Sequence, residues 1–509
     1  MKIKALPFIS SRLMISGILL LVIIIIAVIS GCGGTHMEKA EKYLKQKKFE
    51  KAYYECKKVR TARPNYIEAR ALEERILSAV YDTFFKLPLN IKGMGKEIFQ
   101  NDGKILGVYP VLGGERILVH EFVEGENRLT TVNKDGSNKL IQVKESDFNY
   151  DRNKKELFPG AKDKRFFLEN FIVSPDGRFI VSAGGPIIFK NGKAGEGVCN
   201  IFITDIEAHQ TRMIIGDNVS TIDGWAADGK TIMGHRGKVT YNPKTNKMVV
   251  LPEEFINIDI YKRKWVEIDE YFWRQCKMVY NDERTRALTL KKVERKDKKF
   301  AYNIYLEEVK TGRSSKLMVS DVARTYENWQ WEPERGWIDD TRVLLGNFKA
   351  LPGGPEDKPD YYGEYSLNLF DISVKKAHRV FSRTGKPDRY EFLPLPAGGF
   401  LVSDPNPKGG YTLYLVYAYN LEKHSIANFV TRPVMALGND LTIYLVVDIA
   451  ECLPVVNEVK EDGTRNLVIL DVSRVFEIDL LKLADANIDL VRESESTTPV
   501  DRLVPDETK

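Results

Sequence analysis

A strand pattern that recurs along most of the chain is the feature that most limits how these 509 residues can fold. The copies alternate in polarity, are rich in β-branched or aromatic side chains, and mostly end on a polar turn residue. Five clear copies are Asn200–Asp205, Asn303–Glu308, Ser366–Asp371, Thr412–Tyr417 and Asn466–Asp471, and two weaker ones are Asn127–Val132 and Lys238–Tyr241. They recur at a mean spacing of about 56 residues, close to the period of about 40–50 residues typical of propeller blades.

Most copies have a second predicted strand upstream. The clearest follows the turn Ser174–Arg178, in which proline sets φ and glycine accepts a positive φ. Others begin near Thr231, Thr341 and Gly399. Small sheets repeated around a ring predict a mainly β fold, a β-propeller of about seven blades, with six and eight also open. A pair of β-sandwiches is the alternative, since it too is built from short strands and turns.

The unit at residues 166–215 resembles a known repeat. Its Ser-Pro-Asp-Gly-Arg turn, the strand after it and the segment Asn-Ile-Phe-Ile-Thr-Asp resemble the WD40-like (PD40) repeat of TolB-like β-propellers. The other units match by pattern alone. The resemblance implies a propeller over residues 105–485 and a non-enzymatic role in protein–protein assembly at the cell envelope.

The first 31 residues have the three parts of a secretory signal. Lys2, Lys4 and Arg12 precede an uncharged run, Leu13–Gly31, which ends in Ile-Ser-Gly before Cys32. This stretch resembles a bacterial lipoprotein signal, which implies cleavage between Gly31 and Cys32, a lipidated Cys32 and a tether over residues 32–35. An uncleaved transmembrane anchor is the alternative, because the run is long enough to span a bilayer.

Both interpretations place the rest of the chain outside the cytoplasm. Gly33 follows the cysteine where lipoproteins retained at the inner membrane usually carry aspartate, so the resemblance implies the outer membrane in a two-membrane cell. Only Gly33, Gly34 and Thr35 separate Cys32 from the first predicted helix, a reach of roughly 10 Å at about 3.5 Å per residue. We therefore expect partners held at or near the membrane.

Residues 36–83 predict a small α-helical module before the propeller. Apolar residues recur at helical spacing, and Pro64 separates the second helix from the third. The pattern from Tyr43 to Ala52, with Pro64 and Ala69, resembles one tetratricopeptide (TPR-like) repeat and a following helix. One repeat cannot bury its own apolar face. We expect the module to dock on the following domain or on a partner, as a binding groove or as a spacer.

Charge and cysteine content exclude several classes. The 76 basic and 71 acidic residues leave a net charge of +5, so the mixed surface offers no case for a nucleic-acid partner. The module is locally basic, with ten Lys or Arg against four Glu over residues 36–63. Besides Cys32 the cysteines are Cys56, Cys199, Cys276 and Cys452, too few and too widely spaced for a disulfide scaffold, and we expect buried free thiols.

Motifs for catalysis, metals and cofactors are missing from the sequence. The six histidines form no H-E-x-x-H pair, and there is no G-x-S-x-G elbow or phosphate-binding glycine motif. We therefore expect a non-enzymatic protein with no metal and no cofactor. A propeller-fold hydrolase with carboxylates in the central channel stays open, since such pairs meet only in the fold.

Two aromatic clusters are candidates for a surface that binds a ligand or a partner. The first contains Trp329, Trp331 and Trp337, with Tyr361 and Tyr362 in a later loop. Exposed tryptophan offers flat apolar area and a hydrogen-bond donor, which suits a protein, peptide or glycan. Packing between blades is the alternative explanation, and a surface carbohydrate- or peptide-binding lipoprotein for uptake is the alternative function.

The second cluster contains Trp265, Tyr271, Phe272 and Trp273. The remaining segments are a linker over residues 84–104 and a polar tail over residues 486–509, which we expect to be disordered.

Overall fold

A computed structural model describes residues 36–486 with internal gaps. The gaps are residues 65, 86–94, 102, 152, 191–192, 217–219, 227–229, 243–246, 263, 270–277, 282, 297–299, 325–329, 332–334, 353–361, 386–389, 407–409, 430, 449–455, 460–464 and 469–472. The predicted signal with Gly31 and Cys32, and the tail from residue 487, lie outside the described residues. Within the described ranges, no helix is both long enough and apolar enough to cross a bilayer.

The chain forms two compact units. One contains Met1–Pro88 together with Leu480–Lys509, and the other contains Leu89–Asp479. The first is helical where it is described, and the second is a β-propeller.

Seven sheets make the seven blades of the propeller. The first strand, β1 (Lys96–Gln100), belongs to the last blade. Blade 1 contains β2 (Lys104–Val111), β3 (Arg116–Val123), β4 (Glu126–Asn133) and β5 (Leu140–Lys144). Blade 2 contains β6 (Lys164–Val173), β7 (Phe179–Lys190), β8 (Lys193–Gly197), β9 (Asn200–Asp205) and β10 (Gln210–Ile215). Blade 3 contains β11 (Ser220–Trp225), β12 (Thr231–Asn242), β13 (Lys247–Asp259) and β14 (Lys264–Ile268).

The second half continues the same plan. Blade 4 contains β15 (Val279–Tyr280), β16 (Arg286–Glu294), β17 (Phe300–Glu308) and β18 (Arg313–Asp321), followed by the pair β19 (Ala323–Arg324) and β20 (Gln330–Trp331). Blade 5 contains β21 (Arg335–Trp337), β22 (Arg342–Ala350), β23 (Gly363–Asp371) and β24 (Lys376–Gly385). Blade 6 contains β25 (Glu391–Pro394), β26 (Gly399–Pro405), β27 (Tyr411–Tyr417) and β28 (Glu422–Phe429).

Blade 7 closes the ring with both ends of the propeller sequence. It contains β29 (Val434–Leu437), β30 (Thr442–Asp448) and β33 (Ser473–Asp479), and β33 pairs antiparallel with β1. A side hairpin, β31 (Val456–Val459) and β32 (Arg465–Val468), lies between β30 and β33 in the chain. The mainly β, seven-bladed prediction is confirmed. Because β1 lies in the range 84–104 that we assigned to a linker, the strands of the ring run from Lys96 to Asp479.

The apolar core of the propeller lies between neighbouring blades rather than at one centre. One buried cluster is shared by blades 2 and 3, and others by blades 5 and 6, 7 and 1, 1 and 2, and 4 and 5. First strands of neighbouring blades also contact each other, as β6 does with β11 and β25 with β29. Each blade therefore depends on the next to cover its faces.

The repeated sequence pattern identifies the third strand of five blades. Asn127–Val132 lies in β4, Asn200–Asp205 is β9, and the copies beginning at Asn303, Ser366 and Thr412 lie in β17, β23 and β27. Two copies fall elsewhere. Lys238–Tyr241 lies in β12, the second strand of blade 3, and the described part of Asn466–Asp471 lies in the side hairpin. Period-two polarity marks any half-buried strand and cannot number it within a blade.

The turn predicted from Ser174–Arg178 is present between β6 and β7. Ser174 Oγ donates to the Asp176 carboxylate and accepts from Phe179 N at 2.8 Å. Gly177 has φ +72°, and a Cβ there would stand 2.6 Å from Leu112 N, at the turn between β2 and β3 of blade 1. Glycine is thus required both by the backbone conformation and by the close approach of blade 1.

We predict that Gly177→Ala destabilises the propeller more than Gly312→Ala. Both glycines have positive φ, which costs a non-glycine residue about 1–2 kcal/mol, but a Cβ at Gly312 meets nothing within 4 Å. Overpacking against blade 1 should add about 1–3 kcal/mol at Gly177. Urea unfolding of both variants measures the difference, and equal losses would contradict the required close approach.

The helical unit contains α1 (residues 36–45), α2 (Phe49–Ala62), α3 (Ile67–Phe85) and α4 (residues 480–486). Pro64 lies in the break between α2 and α3, as predicted. Buried side chains recur at helical spacing on α2 and α3, and the Cys56 thiol donates to Ala69 O at 3.1 Å. Cys56 and Cys199 are buried and free, which confirms that prediction for the two described cysteines.

A residue from the far end of the sequence caps the start of α2. The Asp485 carboxylate accepts from Phe49 N at 2.6 Å and from Glu50 N at 3.3 Å, whereas the Lys48 side chain makes no capping bond. A carboxylate satisfies two helix-terminal N–H groups there and complements the helix dipole. Leu481 and Ala484 of α4 are buried. The helical unit therefore combines the helices that precede the propeller in the sequence with the helix that follows it.

Candidate functional site

The junction of blades 2 and 3 combines a buried polar cluster with an exposed apolar surface. The polar cluster contains Glu169 on β6, Thr221 and Asp223 on β11, and His235 on β12. Thr221 Oγ1 donates to Glu169, and His235 Nδ1 lies 2.8 Å from Asp223 Oδ2. The cluster connects the first strands of the two blades.

Both ring nitrogens of His235 are bound. Nε2 lies 2.8 Å from Val250 O, and a carbonyl oxygen only accepts, so Nε2 carries a proton. Nδ1 faces the Asp223 carboxylate and carries one as well. Burial opposes the charged ring, but the hydrogen bond and charge of Asp223, the Val250 carbonyl and the charge of Glu169 together raise the pKa of His235. Both nitrogens are thus engaged by protein groups, so the ring joins β11, β12 and β13 and has no free nitrogen to act as a base.

We predict that His235→Gln removes a component of the pH dependence of stability. A histidine whose pKa is raised on folding stabilises fully below its unfolded pKa of about 6.5, and that contribution is lost as the pH rises through the folded pKa. Wild-type stability should therefore fall over that window, and the variant should lack this fall.

Urea unfolding at a series of pH values measures the effect. His378→Gln, a substitution in β24 away from the cluster, serves as the control and should retain the wild-type slope. An unchanged slope in His235→Gln would contradict a pKa of His235 that is raised on folding.

Two tryptophans connect neighbouring blades in the same way. Trp225 ends β11 and donates from Nε1 to Val173 O, the last residue of β6, at 2.7 Å. Trp337 ends β21 and donates from Nε1 to Val279 O on β15 at 2.8 Å. Each bond joins the first strand of one blade to the first strand of the blade before it.

The predicted aromatic surface is only partly described. Trp337 is half-buried and packs on the cluster between blades 4 and 5, which is the blade-packing alternative. Trp331 lies in β20 and Tyr362 next to β23, where its carbonyl accepts from Leu351 N at 3.2 Å. Trp329 and Tyr361, and of the second cluster Tyr271, Phe272 and Trp273, lie outside the described residues. A shared ligand surface for the first cluster remains a prediction.

We predict that Trp337→Phe lowers the free energy of unfolding by about 1 kcal/mol, the net value of one buried hydrogen bond. Phenylalanine keeps an apolar ring against blade 4 but loses the donor to Val279 O. Trp265→Phe, at an exposed indole for which the structure gives no hydrogen bond, is the matched control and should cost less. Urea unfolding distinguishes the two, and equal costs would contradict the connecting role of Trp337.

A groove of about 230 Å³ lies between the β9–β10 turn of blade 2 and the β13–β14 turn of blade 3. Phe179, Ile203 and Tyr261 line it, and Asp205 and Arg212 stand at its polar side. The Phe179 and Tyr261 rings meet edge to face, with centroids 6.3 Å apart. Tyr261 is nevertheless 66% exposed.

The exposed apolar surface continues along β14. Val266 is 60% and Trp265 is 36% exposed, and the Arg236 guanidinium lies 4.5 Å from the Trp265 ring. β14 is the last strand of its sheet in the part of the chain that the structure describes. Tyr261, in the turn before β14, and Val266 on β14 carry no sequence signal of exposure, because an apolar residue in or beside a strand is as consistent with burial as with exposure.

A second depression, of about 330 Å³, lies between blades 1 and 2. The buried Glu145 carboxylate accepts there from Asn127 N, Asn127 Nδ2 and Leu168 N at 2.7–3.0 Å. Burial outweighs these donors and raises the pKa of Glu145. The carboxylate joins the two blades. Among the described residues, no group of three His, Cys, Asp or Glu side chains is arranged to hold a metal ion.

The fold is that of the seven-bladed β-propeller proteins. The chain matches no protein-family model and no curated protein sequence. Solved structures similar to it include the uncharacterized protein lmo1340 from Listeria monocytogenes EGD-e, at 13% identity over 69% of this chain and 94% of that chain, with a TM-score of 0.38. TolB from Acinetobacter baumannii is 10% identical over 63% of this chain and 62% of that one, with a TM-score of 0.30.

Propeller enzymes are also among the similar structures. Oligogalacturonate lyase from Vibrio parahaemolyticus is 11% identical over 76% of this chain and 95% of that chain, with a TM-score of 0.32. At such identities the likeness concerns the fold alone.

Proposed function

We propose that this chain is a lipid-anchored extracytoplasmic scaffold that binds other proteins of the cell envelope. The binding surface is the groove between blades 2 and 3 together with the edge of β14, formed by Phe179, Ile203, Tyr261, Trp265 and Val266. We call it the blade 2–3 surface. The observation that carries the proposal is the exposure of Tyr261 at a groove between the two blades, next to the edge strand β14 with its exposed Val266.

Exposed apolar side chains that adjoin a groove are typical of protein interaction sites. The last strand of a sheet can also accept a strand from a partner, because its outer N–H and C=O groups offer a template. β14, over Lys264–Ile268, is such an edge strand and carries exposed apolar side chains. An extended apolar segment of a partner could pair with β14 and place a side chain in the groove beside Tyr261.

The chemistry of the described clusters favours binding over catalysis. Both His235 nitrogens bind groups of the protein, and the Glu145 carboxylate accepts three hydrogen bonds from Asn127 and Leu168. A general base needs a free acceptor within reach of a substrate proton. These groups instead hold strands and blades together.

The lipid anchor is the second part of the proposal. Its support is the Ile-Ser-Gly-Cys sequence at Cys32 and the three-residue tether before α1. Two or more acyl chains anchor a protein stably. A short tether keeps the protein close to the membrane, so membrane-bound proteins are the partners we expect.

Photo-crosslinking in the envelope tests the binding surface. A photoreactive residue at Tyr261 or Val266 should give discrete adducts with an envelope protein, since both side chains project into solvent at the surface. Val374, 65% exposed at a turn of blade 5, is the matched control and should give none. Adducts that are equally strong at Val374, or absent at Tyr261 and Val266, would contradict the proposal.

A further inference from the structure

The helical unit has a basic face that the proposed function leaves unused. On α2, Lys48, Lys51, Tyr54 and Lys58 recur at intervals of three or four residues and are exposed. The opposite side of α2 is buried through Phe49, Ala52, Cys56 and Val59. On α1, Lys39, Lys42 and Lys45 are likewise exposed, whereas Ala40 is fully buried. We call the exposed lysines and Tyr54 the basic face.

Few acidic groups offset this charge. Glu41 pairs with Arg75 of α3 at 3.6 Å, and Glu55 is bound by His36 and Lys58. Glu38 and Glu50 are the other carboxylates of α1 and α2. The hydrogen bonds of Glu55 with Lys58 and His36 lower its pKa, so it remains ionised. The remaining lysines give the surface a net positive charge.

His36, at the start of α1, is connected to this face. His36 Nδ1 lies 2.5 Å from Glu55 Oε2, and Lys58 Nζ lies 2.6 Å from Glu55 Oε1. One carboxylate therefore holds both the first described residue of α1 and a lysine of the basic face. Cys32 is four residues before His36. A lipid on Cys32 would lie within roughly 14 Å of His36, at about 3.5 Å per residue.

We propose that the basic face docks on anionic lipid headgroups and so orients the protein on its membrane. The argument is charge complementarity together with the short reach of the tether, and it rests on the lipid anchor of the proposed function. Clusters of four to eight Lys or Arg beside a membrane anchor bind anionic lipids, each contributing while it lies within a Debye length of the surface. Tyr54 is the kind of side chain that favours the headgroup region.

An environment-sensitive dye at position 54 tests this docking. The full chain carrying Tyr54→Cys is labelled and reconstituted into phosphatidylcholine vesicles with or without phosphatidylglycerol. We expect a blue shift and protection from iodide only in the anionic vesicles. About 1 M salt should abolish both, because the Debye length is then only about 3 Å. The same dye at Ala71→Cys, on the exposed side of α3, is the control and should not respond.

Charge reversal supplies the second comparison. Lys51→Glu with Lys58→Glu should remove the response at position 54. Lys310→Glu with Lys316→Glu makes the same change of net charge at exposed lysines of blade 4 and should retain it. Loss of the response in both double variants would show a general charge effect and overturn the basic face as the docking site.

Flotation separates this inference from the anchor. Flotation with both vesicle types and a dye response only in anionic vesicles supports both. Flotation with both and no difference between them at position 54 overturns the basic face but leaves the anchor. Flotation only with anionic vesicles supports the basic face and contradicts the anchor. Flotation with neither overturns both.

Discussion

The pairing of β1 with β33 is the interaction on which the propeller depends. Lys96–Gln100 supplies the outer strand of blade 7, although blade 7 is otherwise built from the other end of the sequence. The Arg474–Glu97 ion pair, at 2.9 Å, adds to the backbone ladder. Because the apolar clusters lie between blades, opening this seam would expose the cluster shared by blades 7 and 1. Closure therefore gives every blade two covered faces and leaves only short edges.

Polar groups between blades also help to hold the ring together. Trp225 and Trp337 each reach a carbonyl of the preceding blade, Glu145 gathers donors from blades 1 and 2, and His235 lies at the junction of blades 2 and 3. Each is satisfied in full or in part by backbone atoms, which explains why buried polar atoms are tolerated in an otherwise apolar interface. Of these residues only Trp337 is a candidate binding residue in the sequence, and the hydrogen bonds of all four hold strands and blades together.

The proposed functions rest on two surfaces that the fold leaves exposed. The blade 2–3 surface leaves Tyr261 and Val266 exposed, and the basic face leaves lysines of α1 and α2 exposed. The two surfaces belong to different units, and we propose different partners for them, a protein segment and an anionic membrane. Asp485 connects the two ends of the sequence within the helical unit, since its carboxylate caps α2 from 436 residues away. The helical unit thus combines residues from α1 to α4, and the ring combines residues from β1 to β33.

The sequence alone determined the mainly β class, the repeat, the turn at Ser174–Arg178 and the helices on either side of Pro64. These follow from local polarity, φ preferences and helical spacing, which neighbouring residues specify. Tertiary structure alone decided that Trp337 packs between blades, that Asn466–Val468 lies in a side hairpin, that Lys96–Gln100 completes blade 7 and that Asp485 caps α2. Each of these depends on a partner roughly 60 to more than 400 residues away or on a choice between equally patterned strands. Local pattern carries no information about such partners, because burial and pairing are set only when the ring closes.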